Sequence, residues 1–132
     1  MTAVALLSKA QKPFRIFFGA GLIAAGLYHF INPEFYYPMM PPWFPVPELL
    51  NLAAGAAEVV LGAGLLLSKW ARRASYGVIA LMVLFIPVHV YMVQVGGCMS
   101  EAVCLPLWAA WVRLIVLHPL IMLAAWWAGQ RE

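Results

Sequence analysis

Apolar residues fill four stretches of the chain, at about 14–32, 48–68, 76–96 and 106–128, and the polar residues gather between them. A hydrocarbon core roughly 30 Å thick is crossed by about 20 helical residues, so each stretch predicts one membrane-spanning helix. Barrel strands would be shorter and would alternate with a polar lumen face. An open backbone has no partners in lipid, which leaves helices as the solution. The expected fold class is all-α, a transmembrane four-helix bundle formed by one domain over residues 1–132.

The connections refine this picture. Between the first two spans, Asn32 to Pro47 holds too many prolines for a helix interior and too many aromatics for a solvated linker. It is expected to lie at the headgroup level as a lid over the helix ends. The first residues, with an apolar patch ahead of Lys9 and Lys12, reverse the charge order of a secretory signal and are expected to be a retained leader. Small residues cluster in the first two spans: Gly19, Gly21, Ala25 and Gly26, then Ala54, Gly55, Ala57, Gly62 and Gly64. They suit close packing of spans one and two, or a face for a homo-oligomer.

Composition supports the same class: 65% of the 132 residues are hydrophobic and 10% are charged. A soluble domain of that size would lack polar surface. The net charge of +3 contains no basic run suited to nucleic acid. Its placement is what informs. Lys9, Lys12 and Arg15 precede span one, Lys69, Arg72 and Arg73 join spans two and three, and Arg131 follows span four, whereas the opposite connections carry Glu34, Glu48 and Glu101. The positive-inside rule then predicts both termini in the cytoplasm of a cell (inner) membrane protein.

Ionisable groups at membrane depth are costly and normally face a bundle interior or an aqueous cavity. Five stand out: His29, Glu58, His89, Arg113 and His118. At 1.5 Å of rise per residue they lie about 6, 16, 12, 10 and 18 Å from the outer end of their spans, all in one half of the bilayer or just past its middle. An ion pair between Glu58 and Arg113 is expected, either as a structural lock or as part of a polar pocket that handles a ligand or proton. His29 and His89 can extend such a network. Pro119 and Pro87 loosen the helices beside His118 and His89, and the His118 imidazole can satisfy the freed backbone.

Cys98 and Cys104 fall on the side assigned outside the cytoplasm, where a structural disulfide, a reversible redox pair or two reduced thiols are all chemically permitted. Met39, Met40, Met92, Met99, His89 and the two cysteines would suit a soft metal such as Cu(I) only if they converged, and no metal is expected.

Read in order, Gly26-Leu-Tyr-His-Phe-Ile-Asn-Pro-Glu-Phe35, Met40-Pro-Pro-Trp-Phe-Pro-Val-Pro47, Ala57-Glu-Val-Val-Leu-Gly-Ala-Gly-Leu-Leu66, the basic turn 69–74 and Phe85-Ile-Pro-Val-His-Val-Tyr-Met92 resemble the DoxX-like family of small membrane proteins. The resemblance implies a four-helix membrane fold with polar positions at His29, Glu58 and Arg113. It also implies an association, in some members, with quinone-dependent sulfur oxidation or redox stress. This chain departs at Pro87-Val88-His89, where the family has Pro-Ala-Asn; the change keeps a hydrogen-bonding group and adds a titratable one.

Three functions follow as expectations. The first is an accessory that holds a quinone-like or lipidic molecule among His29, Glu58, His89 and Arg113, with membrane lipids and a membrane redox partner as its company. The second is a proton-coupled small-solute transporter; the third is an enzyme using Glu58 and a histidine as acid and base, although no nucleophile arrangement argues for it. A purely structural membrane subunit is the alternative to all three.

Overall fold

The computed structural model describes residues 2–130 as four long helices, and the described residues contain no strand. Helix α1 spans Ala3–Ile31, α2 Pro47–Leu66 and α3 Ala71–Gln94. Helix α4 spans Leu107–Ala128 and includes a π-helical segment over Arg113–Leu117. All four are long and apolar enough to cross a membrane, making this a transmembrane four-helix bundle. The outward faces carry Phe17, Val60, Leu84 and Ile115, each more than 60% exposed, as a lipid-facing surface requires.

Three spans end within a few residues of the sequence expectation, and the first does not. Helix α1 starts at Ala3, capped by the Thr2 hydroxyl, which accepts from the Ala5 N–H at 3.4 Å. The expected leader is therefore the first three turns of the helix, continued through Pro13. At 29 residues α1 is about 43 Å long, so it tilts or extends past the core.

The α1/α2 contact is the tightest in the molecule, and a heptad-like stripe explains it. From Arg15 onward the buried positions are Arg15, Gly19, Leu22, Gly26 and His29 on α1, and those of α2 are Asn51, Gly55, Glu58, Gly62 and Leu65, each stripe stepping by four and three residues in turn. Running antiparallel, the stripes place Gly19 on Gly62 and Gly26 on Gly55. A Cβ on Gly26 would come within 2.6 Å of the Gly55 carbonyl, and one on Gly62 within 2.6 Å of the Gly19 carbonyl. The glycines let the backbones meet where lipid offers no hydrophobic drive. Gly21 stays outside this seam, with nothing within 4 Å of its would-be Cβ.

At the basic end the helix termini are tied by side chains of α1. Gln11 donates to the carbonyls of Trp127 and Gln130 at 2.8 and 3.0 Å. Arg15 is 3% exposed and donates to the Leu65 carbonyl and to the Ser68 hydroxyl. Both satisfy C-terminal carbonyls that a helix leaves open, so Arg15 is a helix cap and not a solvated flanking charge. Above this end the packed core gathers Leu22, Leu65, Ala74, Val78, Leu81, Met82, Ala125 and Ala128. It fills the basic half of the bundle.

The other end is closed by the Pro/aromatic connection. Two 3-10 turns, Pro33–Phe35 and Tyr37–Met39, fold the lid back over α1, where Tyr28, Phe35 and Tyr36 pack edge to face. Between α3 and α4, Gly96 and Gly97 adopt φ of 75° and 89°, the left-handed region that glycine tolerates. This bends the chain into a small hairpin in which Cys98 and Cys104 pair by a β-bridge and a disulfide.

Candidate functional site

Above the packed core the helices part around a cavity of about 420 Å³. Its polar lining comes from every helix and the lid: His29 of α1, Tyr36 of the lid, Glu58 of α2, His89 of α3, and Arg113 and His118 of α4. The five membrane-depth groups of the sequence thus share one space. The rest of the wall is apolar, with Met39 and Met40 as its roof and Phe18, Leu22, Met82, Phe85 and Ile121 toward the core.

His29 is fixed at both ends of its residue. Asn51 donates its amide N–H to the His29 carbonyl at 2.9 Å, so the amide oxygen, 2.7 Å away, accepts from His29 Nδ1–H. That leaves Nε2 pointing at Glu58 Oε2, 3.6 Å away. The separation is too long for a hydrogen bond, and Glu58 Oε2 is buried with no hydrogen-bond partner.

Tyr36 stacks on the His29 ring, with centroids 3.7 Å apart. Its phenol is pushed up to about 12, first by burial, then by the nearby Glu58 and Tyr28 charges, with Arg113 opposing. Tyr36 is therefore a neutral donor at any physiological pH.

The expected Glu58–Arg113 ion pair is replaced. Glu58's near partner is His29, and among the described residues no carboxylate lies within ion-pair distance of Arg113. The reason is in α4. Its His118–Ala128 part packs on α1 and α3, whereas Leu107–Leu117 packs on α3, so the part bearing Arg113 stands away from α1 and leaves the guanidinium exposed at the rim. Phe17, Gly21 and Ala25 of α1 are exposed along the same opening while lining the cavity. The cavity therefore opens sideways between α1 and α4.

His118 does not satisfy its own helix. Its Nε2–H donates to the Met82 carbonyl of α3 at 2.6 Å, one residue before Val83, whose carbonyl Pro87 leaves without its helical donor. The loosened turn of α4 is absorbed by the π segment, where the His118 N–H reaches back to the Arg113 carbonyl. His89 packs edge-on against His118, with ring centroids 4.9 Å apart, and its Nδ1 is buried without a partner. Among the described residues no three His, Cys, Asp or Glu side chains converge as metal ligands.

Asn51 and Tyr36 belong to this site and were missed in the sequence because neither is charged at neutral pH. The available signal was spacing: Asn51 lies seven residues before Glu58, two turns along the same face of α2.

One family model matches residues 18–128, from within α1 to the end of α4; its description is "Domain of unknown function (DUF8561)". No curated protein and no solved structure matches the chain.

Proposed function

We propose, from the premise that the chain belongs to the DUF8561 family and that the matched residues build the cavity, that this protein binds a quinone-like or lipidic molecule there. The observation that carries this reading is a mostly apolar cavity lined by Glu58 and His89, each of which keeps one buried polar atom, Oε2 and Nδ1, without a hydrogen-bond partner. Buried polar groups are normally satisfied, and here a ligand head can supply what the protein does not. A volume of about 420 Å³ falls within the roughly 300–1,000 Å³ of small-molecule sites. The opening between α1 and α4 faces the bilayer, the route for a lipid-soluble guest. Membrane lipids are its surroundings.

The order of motifs shared with DoxX-like proteins supports an accessory role in redox metabolism, in which a membrane redox partner carries out the electron chemistry. The arrangement of Lys69, Arg72 and Arg73 at the closed end supports an inner-membrane orientation with both termini cytoplasmic and the cavity in the outer leaflet.

The test is extraction of small molecules from protein purified in mild detergent, with mass spectrometry of wild type and Glu58→Gln. The expected result is a lipid or quinone enriched in wild type and lost in a folded variant. An equal background in both contradicts the binding role of Glu58 and leaves it a packing partner of His29. The paired His29–Glu58 and His89–His118 contacts favour proton-coupled transport as the second reading. Solute uptake that requires sealed vesicles distinguishes it.

A further inference from the structure

The charge balance of the cavity narrows the class of its guest. Arg113 is the one lysine or arginine in its lining, sits exposed at its rim, and has no carboxylate within ion-pair distance among the described residues. The only acid in the lining among the described residues, Glu58, has His29 as its near partner, with Oε2 3.6 Å from Nε2. A guest with a neutral head would leave the guanidinium without a counter-ion at membrane depth, where charge is expensive. A guest with one negative charge balances it, and a guanidinium fork matches a carboxylate in particular. A phosphate monoester carries nearly two charges at neutral pH and would call for a second cation that the lining lacks.

Resting on the reading that the cavity holds a lipid-soluble molecule, we infer that the guest is a single-chain amphiphile with a carboxylate head, of the long-chain fatty acid class. Its two carboxylate oxygens pair with the guanidinium fork of Arg113. The chain lies along Phe17, Gly21 and Ala25 and leaves between α1 and α4 into the bilayer.

The experiment uses the full chain in nanodiscs of zwitterionic phospholipid and a photoactivatable palmitic acid. Competitors are palmitic acid, hexadecanol, hexadecyl phosphate and a short-tailed ubiquinone analogue. The expected result is that palmitic acid displaces the label at a concentration about ten-fold lower than the others. Arg113→Gln abolishes that preference, Arg113→Lys retains most of it, and Gly21→Phe, which fills open space, abolishes labelling of cavity residues. If hexadecanol or the quinone displaces the label as well as palmitic acid, or a folded Arg113→Gln keeps the preference, the acid-head inference is overturned while the cavity reading stands. If labelling persists unchanged in folded Gly21→Phe, the cavity reading falls with it. Should Arg113→Gln not fold, the head-group comparison in wild type decides.

Discussion

Single residues at the two ends of the bundle do different work, and each makes a prediction. Arg15 caps the C-terminus of α2 from inside the protein. Its replacement by alanine leaves a buried carbonyl open, and unfolding in detergent should show a loss of roughly 1–3 kcal/mol; an unchanged stability would return Arg15 to the role of a surface charge. Tyr36 predicts a pH dependence. Its phenol is raised from its ordinary value near 10 to about 12. A group whose folded pKa is raised contributes stability that is complete below the unfolded pKa and is lost as pH climbs through the folded one. The contribution should therefore be intact below about pH 10 and fade toward pH 12. Thermal unfolding across that range should show a shallower decline in Tyr36→Phe than in wild type.

At the scale of elements, the seam between α1 and α2 decides the fold. Gly55→Ala would bring a Cβ within 2.6 Å of the His29 Cβ and 2.8 Å of the Gly26 carbonyl, so the helices must separate. The expected cost is about 1–3 kcal/mol, with His29 displaced from Asn51. Gly21→Ala meets nothing within 4 Å and should be neutral, and equal effects from the two substitutions would contradict the seam. The sequence showed these small residues without showing which were used, since Gly21 and Gly19 lie two residues apart on different faces. The legible signal was the four-three stepping shared by polar and small residues. In lipid such residues, and not the apolar ones, mark the buried stripe.

For the molecule as a whole, four spans, their ends except the start of the first, and the clustering of five ionisable groups in one half of the bundle were readable from hydropathy and helical rise, because both depend on local spacing alone. The partner choices within the cluster were not. Whether Glu58 meets Arg113 or His29 depends on how far α4 stands from α1, which is set by the π segment and by the tie between His118 and Met82. The depth estimate brought Glu58 and Arg113 to similar levels but carried no information on lateral distance. Asn51 and the lid residue Tyr36 complete the site through contacts that link distant parts of the chain.

The central claim is that this cavity is occupied by a lipid-soluble guest, and native mass spectrometry of protein released gently from its own membrane tests it most directly. Wild type should carry a small-molecule adduct in one-to-one ratio, and folded Gly21→Phe should be released without it. Bare wild-type protein, or the same adducts on both, would contradict the account.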